Sequence, residues 1–263
     1  MKAKIYKTIT NLPLVGKPIA NWNHRRHMKQ FAKALHKIPP VFIYQTGKVG
    51  SSTLRRSIRP QYDGKVIADH NLEKGFHWHT DVLCEEYMKH KIPMKVITPI
   101  REPISRNVSA FFQNFERFTG AKFEDNQFSM DELMVFFLKN VGHSFPMTFF
   151  DNHIQKHFDI DVYATPFPKE DYAFYEKGDI KLLVFKHDLD TALKNRIIGE
   201  FIGNTSFKIE ENRNVSAQKP YASMYTEMQK RSLPKGYLDE MLDNKYVRHF
   251  YEKDIKSLRN KWS

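Results

Sequence analysis

The stretch that most constrains this chain is Pro40-Val41-Phe42-Ile43-Tyr44-Gln45-Thr46-Gly47-Lys48-Val49-Gly50-Ser51-Ser52-Thr53-Leu54-Arg55-Arg56. Val41 to Tyr44 is a short apolar, β-branched and aromatic run, the pattern of a buried parallel strand. Gly47 and Gly50 then punctuate the chain, and Ser51-Ser52-Thr53 offers hydroxyls to the first turn of a helix running into Leu54 and Ile58. A strand, a tight glycine loop and a helix N-terminus together make a seat for an anion. Backbone N–H groups point outward, the helix dipole favours negative charge, and Lys48 adds a mobile cation. The stretch is not a Walker A loop, which closes on Gly-Lys-Ser/Thr. Here Lys48 precedes the second glycine by two positions. The plain alternative is a Gly/Ser-rich strand–turn–helix that binds nothing.

At 263 residues the chain can bury one sizeable core, and a single α/β domain over 40–263 behind a basic extension, 1–39, is the expected organisation. Its one cysteine, Cys84, excludes an internal disulfide and a Cys-rich metal site, which suits a reducing cytoplasm. No apolar run reaches the length of a membrane span, and no apolar h-region with a cleavage site follows the basic start, so we expect a cytoplasmic protein. The net charge of +12 is unevenly placed. Residues 1–62 hold 13 Lys and Arg and no Asp or Glu, so the rest of the chain nets −1. Such a field serves an anionic cofactor or polymer, nucleic acid, or peripheral contact with an anionic membrane. A solvated basic tail without a partner is the alternative.

Along the chain, Met28, Phe31, Ala32 and Leu35 recur at helical spacing within a helix expected over Asn23 to His36, with its apolar face on the core. Strands are expected at Lys65 to Ala68, Phe76 to His79, Met94 to Ile100 and Ile180 to Phe185. Helices are expected over 81–90, 103–118, 130–140, 149–158, 189–201, 223–232 and 235–259. Strands separated by helices predict a parallel sheet with helices on both faces.

Lys95-Val96-Ile97-Thr98-Pro99-Ile100-Arg101-Glu102-Pro103-Ile104-Ser105-Arg106-Asn107-Val108-Ser109 repeats the architecture of the opening stretch. Arg101 stands at a strand's carboxyl end and Ser109 in the following helix, where ligands of open α/β sheets gather. The alternative is that Arg101 pairs with Glu102 or Asp188 and Ser109 faces solvent. Together the two stretches resemble the sulfotransferases that use 3′-phosphoadenosine 5′-phosphosulfate (PAPS). That family carries a Lys-bearing Gly/Ser/Thr loop and an Arg-x-Pro-x-x-Arg-x-x-Ser block, which residues 101–109 match. Lys48-Val49-Gly50-Ser51-Ser52-Thr53 looks like the loop of the carbohydrate-directed branch. Leu182 to Leu189, followed by Phe201-Ile202-Gly203, is similar to the family's later strand and helix end. The tail Arg259-Asn260-Lys261-Trp262-Ser263 looks like the terminal signature of the bacterial NKWYS group, associated with capsular polysaccharide synthesis, although the Tyr is absent. Phe149 to His153 and Asp159 to Tyr163 also look like that group.

The resemblance implies a P-loop-like fold and transfer of a sulfuryl group from PAPS to a carbohydrate hydroxyl, leaving adenosine 3′,5′-bisphosphate. Lys48 would meet charge on the leaving oxygen, and residues Val49, Gly50, Ser51, Ser52 and Thr53 would hold the 5′-phosphate. Arg101 and Ser109 would fix the 3′-phosphate, with Arg106 as a supporting cation. Arg213, in a stretch resembling the family's late loop, would reach a phosphate. The acceptor's proton needs a base, and a neutral imidazole suits that task. His77 and His79 bracket Trp78 on an expected strand, so both would face one way. Their placement is similar to the histidine pair of heparan-sulfate-type 2-O-sulfotransferases, which puts His79 first and His77 second. His70 is the rival, with Glu73 and Glu102 as carboxylate alternatives. Asn152, His153 and Lys156, on an expected helix, would line the acceptor cleft; the alternative is that this helix face is core. Such chemistry requires no metal, no metal-binding set of His, Cys and carboxylate stands out in the sequence, and no nucleic-acid partner is expected. Two other classes compete. A nucleotide phosphotransferase would need a Walker-type Lys-Ser/Thr and a magnesium carboxylate. A non-enzymatic polyanion or membrane-surface binder would need only the basic N-terminal residues.

Overall fold

A computed structural model of the chain describes residues 16–75, 77–125, 127–210 and 220–263, with side chains from Trp22 onward. Five strands form one sheet in the order β2-β1-β3-β5-β4: β1 (Val41–Tyr44), β2 (Val66–Asp69), β3 (Met94–Ile100), β4 (Tyr172–Lys177) and β5 (Ile180–Lys186). The inner β1, β3 and β5 are apolar and almost wholly buried, as strands covered on both faces must be. β2, β1, β3 and β5 run parallel, whereas β4 joins β5 as an antiparallel edge. The purely parallel sheet expected above is therefore corrected. Tyr172–Lys177 has one buried residue, Ala173, and ends on the exposed Glu176 and Lys177, as a half-exposed edge strand can, and a tight turn at Gly178 returns it into β5.

Helices cover both faces. On one, α1 (Gly16–Leu35), α3 (Trp78–His90), α4 (Pro103–Gln113), α6 (Met130–Asn140) and the C-terminal helices bury the larger core around Phe42, Tyr44, Val96, Phe111, Phe137 and Phe149. On the other, α2 (Ser51–Ile58) and α9 (Thr191–Ile202) cover Val41, Ile43, Ile97, Leu183 and Phe185. Strand alternation explains the division, because Phe42 and Tyr44 point one way and Val41 and Ile43 the other. Met28, Phe31 and Ala32 of α1 pack on the larger core and Leu35 is buried, so this apolar stripe docks on the domain.

Three further expectations are revised. The strand expected at Phe76 to His79 is not formed by its described residues, Phe76 lying outside them: His77 is the N-cap of α3, in extended backbone, and helix begins at Trp78. Asp81 in the first turn and Lys89 and His90 in the last suit the helix dipole. The helix expected over 103–118 breaks at Asn114 into α4 and α5 (Phe115–Thr119). The long C-terminal helix divides into α11 (Lys235–Leu242), α12 (Lys245–Phe250) and α13 (Ile255–Trp262), after α10 (Ala222–Met228). Asn244 causes the first of those breaks by capping α12, its side chain accepting from the Val247 amide at 3.0 Å. Between α7 (Phe145–Phe149) and α8 (Lys156–Phe158) the helix widens to a π-helical turn over Phe150–Gln155, a feature common near functional sites.

Candidate active site

The two stretches expected to seat anions meet at the carboxyl ends of the adjacent parallel strands β1 and β3. Beyond β1 the backbone turns sharply, with Gly47, Lys48 and Gly50 all in the left-handed region at φ 83°, 64° and 78°. For Lys48 this conformation is unusual, and such residues cluster at binding loops. Space at Gly47 is tight as well, since a Cβ there would lie 3.3 Å from His70 Cε1. Gly50 is the N-cap of α2 and makes no side-chain cap hydrogen bond, so the helix starts at the loop without a side-chain cap. The Lys48 side chain reaches Gln113 Oε1 at the end of α4.

Arg101 closes the seat from β3. Its Nη1 donates to the Lys48 carbonyl at 3.1 Å and its Nη2 to Tyr225 Oη at 3.4 Å, while its Nε is buried without a hydrogen-bond partner. Among the described residues it forms no ion pair. Glu102 is engaged elsewhere, accepting the amides of Ile104 and Ser105 at 2.8 Å each as N-cap of α4. That removes the alternative in which Arg101 pairs with Glu102, and leaves Glu102 a capping residue. Ser109 is buried on α4. Arg106, buried on the same helix, donates to the Thr46 carbonyl and to Asn107 Oδ1. Burial, with a smaller repulsion from Arg101, pushes its pKa down to about 10. No carboxylate offsets this charge among the described residues, and its Nε too is buried and unpartnered. One buried and one half-buried guanidinium, each with a buried Nε lacking a partner, lie under one loop and favour an anion above it.

Beside the loop lies a second cluster, built on the end of β2. Asp69 is 5% exposed; its Oδ2 accepts from His77 Nδ1 at 2.9 Å and Thr80 Oγ1 at 2.5 Å, its Oδ1 from the His70 amide at 2.7 Å. Burial raises the Asp69 pKa, but hydrogen bonds from Thr80, His77 and the His70 amide outweigh it and hold the carboxyl below its usual range. His70 Nδ1 donates to the Gln45 carbonyl at 2.8 Å, so the histidine joins the loop to Asp69. The His77 side chain is 68% exposed, with Nδ1 committed to Asp69 and Nε2 left for chemistry. His79 takes a different direction, because the two residues lie on a helix start and not on one face of a strand. Its ring stacks on Trp78 with centroids 3.6 Å apart and meets Phe31 of α1 edge-on. Burial and the nearby Arg55 and Arg59 depress its pKa.

The remaining candidates scatter. Asn152 is exposed on the π-helical turn, whereas His153 faces inward, its Nδ1 accepting from Tyr44 Oη at 2.7 Å. Burial holds the Tyr44 phenol well above its usual range, so the tyrosine keeps its proton as donor. Glu73 is exposed and pairs with Lys156 at 3.2 Å. Arg213 lies outside the described residues. Asp69, which orients His77, was missed because the sequence reading ended β2 at Ala68; a carboxylate at a strand's carboxyl end was the available signal. Next to Gln113 an aromatic-walled groove of about 490 Å³ runs between Phe112, Phe123 and Tyr221. The tail signature, in contrast, is packing. Trp262 is fully buried and Arg259 binds Asp239 and Asp243 at 2.6 and 3.0 Å.

No curated protein and no solved structure matches this chain. Residues 122–252 match the model of the NKWYS family, described as "Putative capsular polysaccharide synthesis protein". The matched stretch covers the π-helical turn, β4, β5 and the C-terminal helices up to α12, and leaves the Lys48 loop and the Arg101 block outside it. The match supports grouping this chain with the NKWYS proteins.

Proposed function

We propose that the protein transfers the sulfuryl group of PAPS to a hydroxyl of a carbohydrate, in the assembly of a capsular or other surface polysaccharide. The observation that carries this reading is the Arg101 contact with the Lys48 carbonyl, which joins two cation-bearing loops at neighbouring strand ends. One anion seat is a common feature, whereas two seats in contact suit a nucleotide carrying phosphates at both ends of its ribose. The orphaned Nε atoms of Arg101 and Arg106 and the uncapped start of α2 fit such a ligand. The carbohydrate class rests on the family match.

In this reading Lys48 leaves Gln113 to meet the charge developing on the bridging oxygen as the sulfur–oxygen bond to the 5′-phosphate breaks. The first-turn amides of α2 hold the 5′-phosphate, and Arg101 with Ser109 fixes the 3′-phosphate. The acceptor oxygen forms the new bond to sulfur in line with the leaving oxygen, and its proton passes to Nε2 of His77. Asp69 holds His77 in the right tautomer and offsets the imidazolium that results. His77 thus replaces His79 as the preferred base. The test is calorimetry with adenosine 3′,5′-bisphosphate followed by labelled-sulfate transfer from PAPS to a glycan panel. Micromolar binding and transfer are expected. Magnesium-dependent ATP turnover with weak bisphosphate binding would replace this reading with a phosphotransferase.

A further inference from the structure

We propose that His36, Glu86 and His90 form a site for one divalent transition-metal ion of the zinc class, which clamps α1 to α3. The sequence conceals this set, since His36 lies 50 positions before Glu86. The fold assembles it: His36 follows the last turn of α1, and Glu86 and His90 sit four apart on α3, hence on one face. Each residue offers one ligand atom and the three atoms lie within 4.8 Å of one another. His36 Nε2 is 2.7 Å and His90 Nε2 3.7 Å from the same oxygen, Glu86 Oε2, and the two rings meet edge-on at 5.4 Å.

Tetrahedral zinc with ligand bonds of about 2.0–2.1 Å sets its ligand atoms roughly 3.3–3.4 Å apart. The two histidine–carboxylate separations of 2.7 and 3.7 Å bracket that value, and all three ligand atoms lie within 4.8 Å, so rotamer adjustments on the order of 1 Å in these exposed side chains admit the ion. The shared oxygen Glu86 Oε2 can be met either by two neutral Nε2–H donors or by a cation bound to both Nε2 lone pairs and the carboxylate. One cation between the three groups satisfies both Nε2 lone pairs and the carboxylate together. Both histidines are exposed, which gives an ion and its water ligand access.

The place of the trio decides its role. His36 precedes β1 and His90 precedes β3, so the site lies at the amino ends of those strands. The Lys48 loop and Arg101 follow their carboxyl ends, about 13–23 Å away along strands of four and seven residues. The ion would therefore secure the basic helix α1 on the domain and take no part in chemistry at the other edge. The inference is independent of the proposed reaction.

The experiment uses the untagged full chain, stripped with EDTA and dialysed. Cobalt is followed by its visible d–d absorption and zinc by calorimetry near neutral pH, for wild type and the His36→Ala/His90→Ala double variant. We expect one tight equivalent in wild type and at least a tenfold weaker affinity in the double variant. Zinc should also protect residues 22–37 from limited proteolysis in wild type alone, reversibly with EDTA. The comparison is needed because the chain holds 12 histidines. Equal affinity in both proteins, or wild-type binding weaker than about 100 μM, overturns the proposal.

Discussion

His77 Nδ1 lies 2.9 Å from Oδ2 of Asp69, and the two differ sharply in exposure: the carboxylate is buried and the imidazole faces solvent. That is the arrangement of an oriented base, in which a fixed acceptor sets the tautomer and leaves the second nitrogen reactive. His77→Ala is expected to reduce turnover by roughly 10²–10⁴-fold, the usual scale for a general base, with little change in nucleotide affinity. Asp69→Asn, which keeps the shape and the acceptor for the His70 amide, should lower turnover in the same direction. The rising limb of the pH–rate profile should vanish in His77→Ala and survive in His70→Ala and His79→Ala. Loss of that limb in His79→Ala with retention in His77→Ala would restore the pairing expected from the sequence.

Arg101 is the residue that separates a two-phosphate ligand from a one-phosphate ligand. Arg101→Ala should weaken adenosine 3′,5′-bisphosphate far more than adenosine 5′-phosphate. Removing one charge-assisted clamp costs on the order of 2–3 kcal/mol, or roughly 30- to 150-fold in affinity. Calorimetry with both nucleotides reads the difference directly. An equal loss for both would remove Arg101 from the 3′-phosphate.

What the sequence made legible follows from the range of the interactions involved. Val41–Tyr44, Met94–Ile100 and Ile180–Phe185 stood out because strands buried on both faces must be apolar throughout, and the glycine loop announced its turn by composition. β4 escaped because it is mostly exposed, with Ala173 alone buried, and so lacks the continuous apolar run that marks the inner strands. His77 and His79 were misread since two residues either side of Trp78 suit a strand or a helix start equally. The deciding contact, Asp69 with Thr80, spans 11 positions. The His36–Glu86–His90 set and the Arg106 bond to the Thr46 carbonyl depend on packing between separate elements, which no local pattern encodes.

Acid should weaken the fold through His187. This residue follows β5, its amide bonds the Ile100 carbonyl at 2.8 Å, and its Nδ1 is buried without a hydrogen-bond partner. Burial, and then repulsion by Arg101, pushes its pKa down to about 4. A depressed histidine pKa means that the unfolded chain binds more protons than the folded one between about pH 6.5 and 4. The stability contribution is therefore complete above the unfolded value near 6.5 and is lost as pH falls toward 4. The loss amounts to about 2–3 kcal/mol by the lower limit. Burial shifts His143, His153 and His157 in the same direction. Denaturant melts from pH 7 to pH 4 should show this slope, and His187→Gln should flatten it. An unchanged slope in that variant would assign the acid sensitivity to the other histidines.

The tail signature should prove to be a matter of stability and not of chemistry. Trp262 is fully buried, its carbonyl accepts the Leu233 amide at 2.8 Å, and Lys261 lies over its ring at 4.8 Å. Truncating a large buried aromatic leaves a cavity the surroundings fill only in part, which costs about 3–5 kcal/mol. Trp262→Ala is thus expected to lower the melting temperature by roughly 10 °C for a chain of this size. Trp262→Phe should cost less, because the indole N–H is buried without a partner and its removal loses no hydrogen bond. Below their melting temperatures both variants should retain nucleotide affinity and turnover. The competing account starts from Lys261, whose Nζ is 3.5 Å from Ser105 Oγ in the helix that carries Arg106 and Ser109. A Trp262→Ala protein that melts like wild type yet loses nucleotide binding would show that the tail acts on the anion seat through that helix.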